Sequence, residues 1–344
     1  MTSAMAAVPT TIDEVTAPWL AAATDMAVTD VRAERIAEET GFSANLYRLH
    51  LTGSESGPDT LIVKLPADSL ARGGMEMLGG YHREVQFYRT IAPVAPISTP
   101  RCHAARTCGQ DFVLVLEDLR DWDNADHLAG LTLERAQTCI TALAGLHAWS
   151  ATADQAMLAQ FPGIDNAMTR DLFLPAFGAG WQLYREHADR PVPAAVAHFA
   201  EHFADTAAPA LSALAERNML LHGDIRADNM FFRGDALKLV DFQLTVRGAG
   251  AADIAYLVSQ GLPTAARRGL DEQLVRDYTG QVPGYRFDEA WRHYRLATAL
   301  LLYMPVVALL TWDAAPERSR RLCLTLIDRA VAAIADIGAL EEFS

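Results

Sequence analysis

Between residues 30 and 120 one pattern recurs: short runs of branched and aromatic residues, cut by Gly, Pro, Asp and Ser. NLYRLHLT (45–52), TLIVKLP (60–66) and FVLVLEDL (112–119) are such runs, and each predicts a strand. One segment among them has a different period. In GYHREVQFYRTI (80–91) the apolar residues Tyr81, Val85, Tyr88 and Ile91 recur at close to 3.6 positions, which predicts a helix with one buried stripe. From about Asp121 long Ala/Leu-rich segments take over, such as TLERAQTCITALAGLHAWSA (132–151) with Thr132 as its N-cap. A compact strand patch interrupts this half: MLLHGD (219–224), NMFF (229–232) and LKLVDF (237–242), with a reversal at RGDA (233–236). Residues 264–340 return to helix. The longest apolar run, LATALLLYMPVVALLT (296–311), is shorter than the roughly 20 residues that cross a bilayer and contains Pro305, so a buried core helix is expected there. These elements make an α+β plan in two lobes, residues 1–118 and 119–344, hinged near LEDL (116–119).

Composition agrees with this plan and narrows the partners. A chain of 344 residues with 51% apolar content can bury a core in each lobe. Its formal net charge of −14 argues against nucleic acid and membrane surfaces as partners, and no run of Lys or Arg stands against it. A nucleotide would need local positive charge or Mg²⁺, so the positions of the cations carry information. The first residues lack the basic and apolar regions of a secretory signal, and a cytoplasmic location is expected. Four cysteines without Cys-x-x-Cys spacing are expected to be free thiols.

Candidate chemistry concentrates in LHGDIRADNMF (221–231) and LVDFQ (239–243). Taken singly, Asp, Asn and Gly are ordinary turn residues. Phosphoryl transfer, however, needs metal held by carboxylate and amide oxygens, a cation on the phosphates and a carboxylate beside the attacking hydroxyl. Asp224 follows His222-Gly223, Asn229 comes five residues later, and Asp241 closes the next strand, the order and spacing of a kinase catalytic loop and metal-binding Asp. Of 29 Lys plus Arg only Lys64 and Lys238 are Lys, and Lys64 sits in a strand ahead of the helix carrying Glu84. A lysine on a strand is otherwise most often a solvated edge residue.

The chain resembles the kinase-like small-molecule phosphotransferases, the superfamily of aminoglycoside phosphotransferases and choline kinases, and within it most resembles the ecdysteroid-kinase-like branch. GFSANLYRL, LIVKLP, REVQFY, LVLEDL, LAGLHA, LLHGDIRADN, LVDFQ and AADIAYLV carry the resemblance, in the family's sequence order and over nearly the whole chain. It implies a bilobal protein-kinase-like fold, with a small antiparallel-sheet N-lobe and a larger, mostly helical C-lobe. The implied activity is an ATP- and Mg²⁺-dependent phosphotransferase acting on a hydroxyl of a small-molecule alcohol.

Within that resemblance Asp224 would orient and deprotonate the alcohol, and Asn229 and Asp241 would hold Mg²⁺. Lys64, braced by Glu84, would hold the phosphates, with Gly41 and Ser43 in the covering turn. Leu116, Glu117 and Asp118 would offer backbone groups to adenine. Arg226 would neutralise developing charge, or else pair with Asp228. His222 and Asp253 would be scaffolding, Asp253 holding the loop backbone from the following helix. Gln243 stands where protein kinases have Gly. A nucleotide-binding pseudokinase with a regulatory role is the alternative. The acceptor stays open among antibiotics, choline-like alcohols, hydroxyacyl-CoAs and sterol-like alcohols, because acceptor choice lies in variable helices.

Two other signals compete. His198-Phe-Ala-Glu-His202 matches the H-x-x-E-H pattern of a zinc peptidase, with its two His on one helix face, but no third ligand is signalled. Arg233-Gly234-Asp235 reads as a turn. Trp181, Tyr184, Trp291, Tyr294, Tyr303 and Trp312 lie in the helical half, most of them expected in the core.

Overall fold

The protein is described by a computed structural model covering residues 7–36, 44–53, 57–67 and 70–343, with residues 70 and 71 described by backbone alone. It divides into two compact units. Unit 1 comprises Met1–Val94, Ser98–Trp122 and Lys238–Leu244; unit 2 comprises Ala95–Ile97, Asp123–Leu237 and Thr245–Ser344. The short segment carrying Asp241 thus packs with the N-terminal unit, although both of its sequence neighbours belong to unit 2.

Unit 1 is built on five antiparallel strands: β1 (Asp30–Ile36), β2 (Ala44–Thr52), β3 (Thr60–Pro66), β4 (Cys102–Cys108) and β5 (Asp111–Glu117), in the order β1-β2-β3-β5-β4. β2, β3 and β5 are the strands expected from the apolar runs; β1 is largely exposed and β4 partly buried, and the charges they carry leave no apolar rhythm. Side chains alternate across a sheet, so each strand serves two layers. Leu61, Val63 and Leu65 of β3 join Val113 and Val115 of β5 in one core layer, with Leu20 of the helix Ala17–Thr24 packed in it. Lys64 has the opposite parity. On the strands' other parity Phe112 stacks on Tyr81 of the helix Gly80–Gln86, ring centroids 4.4 Å apart. That helix continues through a wider turn at Phe87–Ile91, and all four residues of the expected stripe, Tyr81, Val85, Tyr88 and Ile91, are buried.

Unit 2 is mostly helical. The helix Leu133–Ser150 begins where expected, with the Thr132 hydroxyl accepting from the Arg135 N–H. Its far end supports a two-stranded ribbon: β7 (Met219–Leu221) pairs with β10 (Val246–Gly248), and the Ser150 hydroxyl accepts from the Leu220 N–H at 3.1 Å. β6 (Asp123–Asn124) pairs with β8 (Met230–Arg233), a turn follows at Gly234 with φ of 57°, and β9 (Ala236–Leu239) carries the chain from unit 2 into unit 1. Trp181, Tyr184 and Tyr294 are core residues, as expected, and all four cysteines are free thiols.

The apolar run 296–311 is not one helix. The helix Phe287–Leu300 stops, the chain turns at Leu301 and Leu302, and a second helix, Tyr303–Ala308, follows. Pro305 accounts for the break: it has no N–H to give the carbonyl four residues back, at Leu301, and its ring would clash there. Phe287–Thr311 is long and apolar enough to cross a membrane by composition, but 61% of its most apolar stretch is buried inside the protein. The second helix lies against Leu174–His187 so closely that a Cβ on Gly180 would come within 2.2 Å of the Val306 carbonyl oxygen. Since that neighbour is backbone, Gly180→Ala should destabilise unit 2 by about 1–3 kcal/mol; an unchanged urea midpoint would show that the two helices can part at no cost.

Candidate functional site

In unit 1 Glu84, predicted to brace the phosphate-binding lysine, and Asp241, predicted to hold metal, converge on the Lys64 ammonium. Lys64 lies on β3, which β2 and β5 flank on both sides, so it is no edge residue. Its Nζ lies 2.7 Å from Glu84 Oε2 and 3.0 Å from Asp241 Oδ1. Lys64 and Glu84 are 7% and 1% exposed, while the Asp241 side chain keeps 27% of its surface open. Packing explains how residue 241 reaches residue 64. Phe242 stacks on Phe87 with ring centroids 3.6 Å apart, and the Leu239 N–H donates to the Ser98 carbonyl at 3.0 Å. Asp241 itself has φ of 66°, one of two non-glycine residues with positive φ among those described. Non-glycine residues hold that conformation when surroundings impose it, and they cluster at functional sites.

The electrostatics of this cluster are unbalanced. Burial works against the charge of Lys64, but Asp241 and Glu84 outweigh it and hold the ammonium well above its ordinary range. Burial pushes Glu84 up to about 7; the Lys64 ammonium opposes this and the Asp241 carboxylate adds to it. Two carboxylates therefore share one cation in a low-dielectric interior. A divalent cation at the exposed edge of Asp241 would relieve the excess negative charge, so the donor set fits Mg²⁺.

The predicted adenine contacts are partly occupied. The Glu117 N–H donates to the Arg101 carbonyl at 2.8 Å, and its carboxylate pairs with Lys238 at 2.5 Å. Asp118 pairs with Arg48 at 2.7 Å; burial would raise its pKa, but the Arg48 bond holds it below the usual carboxylate range. Leu116 is buried within β5. Gly41 and Ser43 lie outside the described residues.

In unit 2 the loop after β7 holds the other predicted residues. Arg226 Nε donates to Asp224 Oδ1 at 3.0 Å. Asp228 instead accepts from the His127 N–H at 3.0 Å and lies 3.9 Å from Arg318. Asn229 Nδ2 donates to the Asp224 carbonyl at 2.9 Å and to Asp224 Oδ2 at 3.4 Å. Two acceptor partners fix which end of that amide is nitrogen, and leave Oδ1 as the atom with which Asn229 could ligate a metal.

The loop is held from behind by buried groups. Asp253, on the helix Ala251–Gly261, accepts from the His222 N–H at 2.7 Å and the Gly223 N–H at 3.0 Å, the scaffolding expected of it. Three more contributors were not identified as such in the sequence. His147 reaches Asp253 at 3.3 Å and Tyr278 at 2.9 Å; LAGLHA carries it in the sequence without marking this role. The Tyr256 hydroxyl contacts Asp224 Oδ1 at 3.4 Å. His127 Nδ1 accepts from the Ala227 N–H at 2.7 Å, while its Nε2 meets the Gln260 carbonyl at 3.1 Å. Spacing from Asp253 on one helix face could have pointed to Tyr256; nothing local marks His127.

The competing zinc pattern is only half preserved. The helix Ala194–Glu201 ends before His202, whose Nδ1 contacts the His198 carbonyl at 2.9 Å. Among the described residues no group of three or more His, Cys, Asp or Glu is placed to hold a metal ion.

A five-stranded antiparallel unit with a buried Lys–Glu pair, joined to a helical unit that displays an Asp-Asn loop, defines the class of kinase-like phosphotransferase folds. The chain belongs to the ecdysteroid kinase-like family, whose model matches residues 38–283. Its fold is similar to that of choline kinase from Cryptosporidium parvum Iowa II, with 10% identity, TM-score 0.58, and 90% of this chain and 91% of that chain covered. A mutant aminoglycoside 2'-phosphotransferase-IIIa in complex with GDP is similar at 14% identity, TM-score 0.57, with 92% and 93% covered. So is an aminoglycoside phosphotransferase from Alicyclobacillus acidocaldarius, at 14% identity, TM-score 0.52, with 92% of each chain covered. No curated protein sequence matches the chain.

The burial of His127 predicts that this loop is sensitive to acid. Burial, with the positive charges of Arg226 and Arg329 adding to it, pushes the imidazole from 6.5 down to about 3. The stability this neutral form contributes is present above 6.5 and is lost as pH falls toward 3, because the unfolded chain takes up a proton that the folded chain refuses. The urea midpoint should therefore fall between about pH 6.5 and about pH 4, and fall less in His127→Gln. Equal slopes for the two proteins would remove His127 as the cause.

Proposed function

We propose that this protein is an ATP- and Mg²⁺-dependent phosphotransferase that phosphorylates a hydroxyl group of a small molecule. The observation that carries this reading is the Lys64 ammonium shared between Glu84 and Asp241, three residues from distant parts of the chain with a net excess of negative charge. A structural ion pair needs one carboxylate; a second, partly exposed and held at positive φ, supports a ligand-binding role. Family membership and the kinase-like fold support the same class.

Each residue has a chemical task in this reading. Lys64, a compact ammonium on a flexible stem, binds phosphate oxygens, and Glu84 keeps it oriented. Asp241 in unit 1 and Asn229 Oδ1 in unit 2 would each offer the hard oxygen that Mg²⁺ takes, and the ion would supply charge neutralisation on the phosphates. Asp224 positions the acceptor hydroxyl and takes its proton as the oxygen's electron pair bonds to the terminal phosphorus of ATP and the bond from that phosphorus to the bridging oxygen breaks, releasing ADP. Arg226, beside it, offers a fixed positive charge to the transferring group.

The acceptor is a small-molecule alcohol. Choline kinase and aminoglycoside phosphotransferases, the named proteins of similar fold, differ in acceptor, so the hydroxyl is the part this reading carries over. An ADP-release screen over choline-like alcohols, aminoglycosides, hydroxyacyl-CoAs and sterols would find the acceptor. With it in hand, Asp224→Asn should lower turnover at least about a thousandfold while nucleotide affinity stays within a few-fold. Asp241→Asn should weaken Mg²⁺-nucleotide binding as well. Wild-type rates from both variants would sink the assignment, and Mg·ATP binding without transfer to any alcohol would favour a pseudokinase.

A further inference from the structure

We propose that Tyr256 is a positioning residue for Asp224: its hydroxyl donates to one carboxylate oxygen and thereby selects which oxygen receives the acceptor's proton. This rests on the phosphotransferase reading above. Tyr256 is 5% exposed, and a buried phenol needs a hydrogen-bond partner. Its hydroxyl meets Asp224 Oδ1 at 3.4 Å, a length common for catalytic contacts before substrate arrives.

The helix Ala251–Gly261 makes this contact part of a larger clamp. Asp253 and Tyr256 are three residues apart and so share a helix face. Asp253 fixes the loop backbone through the N–H groups of His222 and Gly223. One turn further along, Tyr256 fixes the side chain that the same loop displays. A single rigid element thus sets both the path of the loop and the rotation of the carboxylate, whose terminal torsion is otherwise broad.

The two carboxylate oxygens are left unequal. Oδ1 accepts from Arg226 Nε at 3.0 Å and from Tyr256 at 3.4 Å. Oδ2 receives the 3.4 Å contact from Asn229. Oδ2, with fewer and longer bonds, is the less engaged oxygen and takes the proton as the acceptor O–H bond breaks, the acceptor oxygen bonds to the terminal phosphorus, and the bond from that phosphorus to the bridging oxygen breaks to release ADP. Arg226 and Tyr256 thus hold Oδ1 together, and Tyr256, buried and aromatic, is the donor with less freedom to move. The phenol is therefore the donor that keeps the carboxylate oriented during transfer.

Tyr256→Phe retains the ring and its packing, and tests the hydroxyl alone. With Mg·ATP as probe and water as acceptor, the variant should release ADP about ten- to a hundredfold more slowly, with KM for Mg·ATP within about twofold of wild type. A ring that only fills the core would leave kcat unchanged, and that result would overturn the proposal. A second measurement does not depend on turnover. Urea midpoints of wild type, Tyr256→Phe, Asp224→Ala and the double variant should be non-additive, since the hydroxyl loses its partner when Asp224 is removed. Additive midpoints would overturn the contact itself. If wild type releases no ADP to water or to any alcohol, the phosphotransferase reading fails, and the midpoints alone then decide whether Tyr256 holds Asp224.

Discussion

Unit 1 depends on one ammonium placed where two carboxylates need it. Lys64 is buried in the middle of a sheet, a position that would be prohibitive without Glu84 and Asp241 to compensate its charge. The pairing constrains the architecture around it. A one-residue slip of β3 would exchange Lys64 with its neighbours Val63 and Leu65 and drive the charge into the apolar layer beside Leu20. The helix carrying Glu84 must lie on the opposite side, which the Tyr81–Phe112 stack secures. The segment carrying Asp241 must cross into unit 1, which the Phe87–Phe242 stack secures. Apolar packing thus positions the three charged groups, and the charges in turn reject alternative registers.

Unit 2 holds its loop carboxylate differently. Asp224 is surrounded by donors on a loop whose backbone is tied to Asp253 and His127. Behind Asp253 stands a second buried layer, His147 and Tyr278, packed so tightly that a Cβ on Gly250 would come within 2.1 Å of the Tyr278 hydroxyl. Such networks are rigid because each member satisfies another in a low-dielectric interior. The consequence for chemistry is preorganisation: the loop has little freedom to lose when a ligand binds. Unit 1 holds charge in excess and can take up a cation, while unit 2 holds a carboxylate at a defined angle. In the proposed function these would be the binding and the activation halves of phosphoryl transfer.

The secondary structure was readable to different depths for physical reasons. β2, β3 and β5 were legible because inner strands alternate or fill with apolar residues, and Thr132 was legible because a cap is a local hydrogen bond. β1, DVRAERI, was not, since a strand whose sides are largely solvated has no apolar rhythm to read. The run at 296–311, expected as a buried core helix, is broken in two, because Pro305 has no donor for the Leu301 carbonyl four residues earlier.

The amino-acid order by itself determined the ingredients: a Lys in a strand, a Glu on the next helix, and Asp224, Asn229 and Asp241 at the spacing of a catalytic loop and its metal site. These are local facts, set by propensity and by position along the chain. Only the tertiary structure decided that Asp241 returns to unit 1, that Arg226 turns to Asp224, and that His127, His147 and Tyr256 hold the loop. Those contacts join residues that are distant in the chain or whose side-chain direction is set by packing. They arise from burying apolar surface and then satisfying every polar group caught inside, a condition that the whole fold imposes and no short stretch encodes.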